Sequence, residues 1–238
     1  KSIAVAEDSR ESDWKSKSFM ASMFMGDLDV SMCYPFPSQD PADKAIGDEW
    51  VAKVDAWCAE NVNGEEIDSA GEIPAHVFKG LADMGLIGIK IPTEYGGLGL
   101  SQTNYMRLLS TVARHCGSTV ATLSAHQSIG VPQPLKLFGT KEQKEKYLPK
   151  LASGECIPCF GLTGPNNGSD ATGSIDKGRV VEVDGKLKLR VRLNKRYITL
   201  APVANLMGIA FELEDPAGLL KKTGVTVALV ERDHPGLI

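Results

Sequence analysis

Near Gly154 the hydrophobic period of this chain changes from three-to-four residues to two, and that switch limits the possible folds more than any other feature. Upstream, Ile46, Trp50, Val54, Trp57 and Cys58 recur at helical spacing and predict a helix with one apolar face. Pro74 opens a second helix at its first-turn position, with Val77, Phe78, Leu81 and Met84 as the buried stripe and Gly85 as the left-handed end. Ser101 caps a third, which carries Tyr105, Leu108, Leu109 and Val112 inward. A fourth, rich in small residues, is expected over 118–128. Thr140 with Gln143 forms a capping box for a fifth, which Pro149 is expected to bend or end. Downstream, Leu187, Leu189, Val191 and Leu193 alternate with Lys188, Arg190 and Arg192, the pattern of a half-buried strand. Asp184-Gly185 is a tight-hairpin signal that joins it to a strand over 180–183. Further strands are expected over 197–200, 206–213 and 225–231. The expected class is α+β: an all-helical domain over 43–153, then an antiparallel β-barrel or sandwich-like domain over 154–238, truncated while the sheet is still being built. Residues 1–42 read as an N-terminal arm, polar at first, then rich in methionine and aromatics and broken by Pro35, Pro37 and Pro41.

A formal net charge of -4 argues against nucleic acid as the main partner, because phosphate binding calls for a basic excess. Lys141, Lys144, Lys146 and Lys150, and the run from Lys188 to Arg196, read as solvated faces, with guidance of an anionic ligand as the other reading. Five scattered cysteines indicate a reducing compartment. Cys156 and Cys159 form a CxxC, but His76, His115, His126 and His234 offer no matching zinc pair, and the motif runs into a strand rather than opening a helix. Two half-buried strand cysteines are the simpler reading. No stretch approaches the roughly 20 apolar residues of a membrane span, and the chain opens without a signal-peptide pattern.

A candidate binding loop begins where the apolar run ending in Phe160-Gly161-Leu162 stops in Thr163-Gly164-Pro165-Asn166-Asn167-Gly168-Ser169-Asp170. Glycine and asparagine there permit backbone angles that turn successive amides toward an anion. By composition alone the same loop fits a long strand connection.

Four motifs occur in one order: Ile91-Pro92-Thr93-Glu94-Tyr95-Gly96-Gly97-Leu98-Gly99-Leu100-Ser101, Phe138-Gly139-Thr140 through Tyr147-Leu148-Pro149, the loop from Leu162 to Asp170, and Tyr197-Ile198-Thr199. Together they resemble the acyl-CoA dehydrogenases over roughly residues 43–238. Ser16-Lys17-Ser18-Phe19, Tyr34-Pro35-Phe36-Pro37 and Ala125-His126-Gln127-Ser128-Ile129-Gly130 are similar to the very-long-chain branch, while 194–202 and 211–220 look more like the bacterial fatty-acid-degradation branch. The resemblance implies FAD as cofactor and α,β-dehydrogenation of a long-chain fatty acyl-CoA to the trans-2-enoyl-CoA in β-oxidation. It implies that Phe160, Leu162 and Thr163 contact the isoalloxazine, and that Gly168 and Ser169 meet the pyrophosphate and the adjacent acyl-CoA. Tyr197 stands where the family usually has tryptophan, Ile198 lies beside it, and Thr199 matches the hydroxyl that bonds near N5. Ala125 and Ser128, small residues of the fourth helix, would line the acyl cavity; small residues there serve close helix packing equally well. Two departures stand out: Gly164 replaces the usual glutamate, and Asn166-Asn167 replaces a Gly-Ala-like pair.

The family's catalytic base belongs to a helical domain expected beyond Ile238, so no base is assigned. Glu94, Glu142 and Glu155 sit at helix-end and linker positions, and the chain alone is expected to be inactive. Implied partners are fatty acyl-CoA, an electron-transfer flavoprotein and a second copy as homodimer, with peripheral membrane association through regions outside this chain. The implied location is a bacterial cytoplasm or, alternatively, the mitochondrial matrix or inner-membrane face. An acyl-CoA oxidase, a flavin monooxygenase on the same scaffold, and a non-catalytic assembly module are the competing readings.

Overall fold

The computed structural model describes residues 18–171, 173, 175–220 and 223–237. Residues 1–17 of the expected arm, Ser16 and Lys17 among them, and Ile238 lie outside the described residues. The chain divides into two compact units, 1–42 and 43–238. In the first, α1 (Phe19–Phe24) is followed by a single 3-10 turn over Val30–Met32, whose Asp29 cap accepts a hydrogen bond from the Ser31 amide at 3.1 Å. Phe24, Tyr34 and Phe36 are exposed there.

The second unit begins in α2 (Pro41–Asn61), which leads to α3 (Gly64–Ala70) and α4 (Ala75–Asp83), the last opening after Pro74. Next come α5 (Gln102–His115), capped by Ser101 through the Asn104 amide, and α6 (Gly117–Ser124). Their apolar faces meet in one core around Val54, Cys58, Leu81, Ile87, Tyr105, Leu108 and Leu123. Ile46 departs from the expected stripe and is exposed, because at the start of α2 it is Gly47 that is buried against Asn104 of α5. The fourth helix is shorter than its sequence indicates. After Ser124 the chain widens into a π turn over Ala125–Ile129, then enters α7 (Pro132–Phe138) and α8 (Lys141–Ser153). The Thr140–Gln143 capping box holds, and Pro149 lies within α8 without ending it.

Strands β1 (Pro158–Gly161), β2 (Lys177–Val183), β3 (Lys186–Val191), β4 (Leu206–Glu214) and β5 (Gly224–Glu231) form a mixed sheet rather than the expected antiparallel one. The reason is connectivity. Asp184 and Gly185, both left-handed, turn β2 back as β3 with Val183 opposite Lys186, and one long connection then returns the chain as β4 in the direction of β2. β5 lies antiparallel along β4 from Leu206 to Leu213, leaving β4 one edge, which β1 and β2 share as parallel partners. The expected strand over 197–200 is a loop: Tyr197 at φ +60° and Leu200 at φ +66° are left-handed and cannot extend a ladder. The alternating face of β3 is also less buried than expected. Leu187 and Leu189 are 54% and 46% exposed, since β3 is an edge strand and no described element covers that face.

Helices and sheet join through Ile91, Val131, Leu135, Leu148, Leu151, Cys156 and Leu206. Gly208 permits that joint: a Cβ there would lie 3.1 Å from Val131 Cγ2 and 3.2 Å from Phe160 Cδ2. Lys146 Nζ and the Tyr147 hydroxyl both donate to Glu231, tying α8 to β5 and holding the Glu231 carboxyl below its ordinary range.

Candidate functional site

β1 delivers Phe160, half-buried, and ends at Gly161, after which Leu162 and Thr163 lead into the loop. The loop is folded on itself. The Gly164 amide donates to the Asn167 carbonyl at 3.2 Å, and the Asn167 side chain, 6% exposed, donates to the carbonyls of Leu162 at 2.9 Å and Ala171 at 3.2 Å. Gly164 makes room for this. A Cβ on residue 164 would fall 2.7 Å from Asn167 Oδ1 and 3.0 Å from the Asn194 carbonyl, so glycine at 164 and a buried amide at 167 belong together. Gly168 and Ser169 follow, both exposed.

The second segment meets the first directly. The Arg196 amide donates to the Thr163 carbonyl at 3.1 Å, Lys195 Nζ donates to the Leu162 carbonyl at 3.1 Å, and the Arg196 guanidinium reaches the Pro165 carbonyl at 3.3 Å. Lys195 also pairs with Asp176 at 2.9 Å, with only 11% of its side chain exposed. Phe160, Leu162, Thr163 and the stretch Tyr197–Ile198–Thr199 are thus held together by backbone and side-chain bonds between positions 162–165 and 195–196. Tyr197 is 83% exposed, its ring beside the Arg196 guanidinium at 5.1 Å; Thr199 is exposed and Ile198 half-buried. Among the described residues three non-glycine positions have positive φ. Two of them are Tyr197, in this stretch, and Leu200, directly after it, and backbone held in that region costs energy and concentrates at functional sites.

The π turn abuts β1: a Cβ on Gly130 would lie 3.1 Å from Pro158 Cγ. Ala125, His126 and Gln127 are all buried, whereas Ser128 is exposed and its hydroxyl donates to the Ser124 carbonyl at 2.7 Å. Ala125 therefore faces the interior and Ser128 does not. His126 Nε2 donates to the Leu151 carbonyl at 2.9 Å, and burial pushes its pKa down to about 4, keeping the ring neutral. Of the carboxylates, Glu155 pairs with Lys150 at 3.1 Å, Glu142 lies in the first turn of α8, and Glu94 is exposed in a 3-10 turn over Thr93–Tyr95. Cys156 and Cys159 are buried thiols, Cys156 raised by burial to about 11. No group of three or more metal-ligating side chains, and no helix long and apolar enough to cross a membrane, occurs among the described residues.

Sequence reasoning missed Asn167 and Lys195 as builders of the site. The only signal was the coupled departure at 164 and 167, while Lys195 was indistinguishable from the solvated basic run around it.

A family model of the acyl-CoA dehydrogenase N-terminal domain matches residues 48–155. Those residues are an acyl-CoA dehydrogenase N-terminal domain. The chain is 39% identical over 240 residues to "Probable acyl-CoA dehydrogenase FadE10" of Mycobacterium tuberculosis, covering 98% of this chain and 35% of that protein. To the human mitochondrial very long-chain specific acyl-CoA dehydrogenase it is 37% identical over 226 residues, 94% of this chain and 34% of that one. Among solved structures, the butyryl-CoA dehydrogenase of Megasphaera elsdenii superposes with a TM-score of 0.69 at 26% identity, covering 84% of this chain and 51% of that one. An acyl-CoA dehydrogenase complexed with FAD from Bacillus anthracis gives 0.61 at 27% identity, covering 84% and 33%. The chain thus spans about a third of the length of the curated relatives it matches. The succession of helices and mixed sheet in this chain is the fold of those neighbours.

Proposed function

We propose that this chain forms the flavin-holding part of an FAD-dependent dehydrogenase of long-chain fatty acyl-CoA. The observation that carries the reading is the bond from the Arg196 amide to the Thr163 carbonyl, which joins the two segments that the family resemblance assigns to the cofactor. The residues there suit a flavin. Phe160, Leu162 and the outward Tyr197 ring offer apolar and aromatic surface to a planar heterocycle, while Thr163 and Thr199 offer hydroxyls to its polar edge. Gly168 is open, with nothing within 4 Å of a Cβ placed on it, so the backbone beside exposed Ser169 is accessible to a pyrophosphate. When bound, FAD supplies the hydride acceptor. The chain's own part is to fix the two segments against one another, to present those hydroxyls, and to bring the π turn with Ala125 alongside β1, where an acyl tail would lie. Electrons would pass to an electron-transfer flavoprotein. The likeness to the prolyl acyl carrier protein oxidase AnaB, TM-score 0.69 at 28% identity, keeps transfer to oxygen as the second reading.

The test is the natural full-length protein, purified and mixed with palmitoyl-CoA under anaerobic conditions. The expected result is an oxidised-flavin absorption band that bleaches on mixing and, with electron-transfer flavoprotein present, turns over faster than with oxygen. A colourless protein, or a flavin that palmitoyl-CoA leaves oxidised, would overturn the reading. In the same assay Ala125→Leu is expected to lower activity on palmitoyl-CoA far more than on octanoyl-CoA. Each methylene denied a site is worth about 0.8 kcal/mol, so the ratio moves several-fold. Equal loss on both substrates would assign the small residues to helix packing instead.

A further inference from the structure

The π turn is held by directed bonds from its own backbone and from two of its side chains. The Gly130 amide bonds to the Ala125 carbonyl, five residues back, at 2.9 Å, so the turn carries one residue more than an α-turn. Such turns are rare and recur at functional sites. Ala125, His126 and Gln127 are buried in succession, which a surface α-helix, advancing about 100° per residue, does not allow. Two of the three are polar, and each satisfies backbone groups of a neighbouring element. Nε2 of His126 donates to the Leu151 carbonyl, one of the last four of α8 and therefore without a partner inside that helix. Gln127 Nε2 donates to the Leu86 carbonyl at 2.8 Å, and its Oε1 accepts from the Lys90 amide at 3.4 Å. Nδ1 of His126 has no hydrogen-bond partner among the described residues, and the imidazole is buried neutral at a desolvation cost that an apolar side chain would not incur.

We propose that His126 and Gln127 are positioning residues for substrate chain length: they pin the π turn to α8 and to the 86–90 segment, and so set how deep a space Ala125 leaves beside β1. The proposal rests on the reading that Ala125 borders the acyl tail. A histidine and a glutamine with all their bonds directed at neighbouring backbone fix the turn in direction as well as depth, which apolar packing alone leaves free to slide. Relaxation of either anchor shifts Ala125 relative to Pro158 and Phe160, and the far end of a long acyl chain meets that shift first.

The experiment compares kcat and KM for palmitoyl-CoA and octanoyl-CoA in the natural full-length, flavin-loaded protein and in His126→Leu, His126→Gln and Gln127→Met. Glutamine places an N–H near the position of Nε2 and is the rescue variant; Gln127→Met keeps volume while removing both bonds, and carries the test alone if His126→Leu does not fold. Expected are a change of about tenfold in the palmitoyl-to-octanoyl ratio of kcat/KM for His126→Leu and Gln127→Met, with octanoyl-CoA turnover and flavin content retained, and a near-native ratio for His126→Gln. Uniform loss on both substrates, or an unchanged ratio, while Ala125→Leu does shift it, would overturn the positioning role and leave the cavity reading standing. An unchanged ratio in Ala125→Leu as well would remove the cavity reading and this proposal with it.

Discussion

Asn167 shows how one side chain builds a loop that glycine content alone would leave slack. Its amide closes onto the Leu162 and Ala171 carbonyls, and Gly164 yields the space its Oδ1 occupies. The pair was visible in the sequence only as two departures from a family pattern, since nothing in Asn-Asn says which amide turns inward. Two lost hydrogen bonds cost about 1–3 kcal/mol together. Asn167→Ala is therefore expected to lower both the melting temperature and the affinity for FAD. Thr199→Val, which removes one exposed hydroxyl at nearly constant volume, is expected to weaken FAD binding or slow flavin reduction without moving the melting temperature. Flavin titration beside thermal unfolding separates the two. A native melting temperature in Asn167→Ala would refute the bracing role, and native flavin binding and reduction kinetics in Thr199→Val would reject its assignment.

Elements governed by local chemistry were legible in advance. The Thr140–Gln143 box, the Ser101 cap and the Asp184-Gly185 turn each depend on groups within a few residues of each other, and each stands where the sequence places it. Tyr197–Leu200 was not legible, because strand-forming residue types there are overridden by tertiary bonds from Lys195 and Arg196 into the loop. The π turn escaped for a similar reason: its wider winding is stabilised from outside by Leu86 and Leu151. In β3 the alternation gave the strand but could not say whether a partner covers its apolar side. With Leu187 and Leu189 already about half in water, the 238-residue chain is expected to self-associate through this face, and Leu187→Ser with Leu189→Ser to reduce that association at nearly unchanged thermal stability. Sedimentation velocity and a melting curve check this, and a fall of many degrees would mean that the face is packed.

At the scale of the whole molecule, stability against pH follows from the neutral His126. Its pKa of about 4 in the fold lies below the unsupported value of 6.5, so the unfolded chain takes up the proton first. The contribution is complete above pH 6.5, declines as pH falls toward 4, and changes no further once both states are protonated. Between about pH 7 and pH 5 this single group removes about 2 kcal/mol. Asp48 and Asp55, whose carboxyls are held below the ordinary range chiefly by Lys44 and by His115 respectively, contribute mainly at lower pH. Urea unfolding at the two pH values is expected to show that loss in the native protein and a clearly smaller one in His126→Gln. Equal slopes would mean that the imidazole is not buried neutral.

The shared edge of β4 has a further consequence. β1 ends opposite Ile209 and β2 begins opposite Glu212, both running in the same direction, so on that edge they are two halves of one line with a gap facing Ala210 and Phe211. Everything between Gly161 and Lys177 is an excursion out of that gap, anchored at both ends by ladders that do not depend on what lies between. The registers of β1 and β2 on β4 are thus set on either side of the loop, which makes this gap the natural seam at which a loop of different length or chemistry could be exchanged.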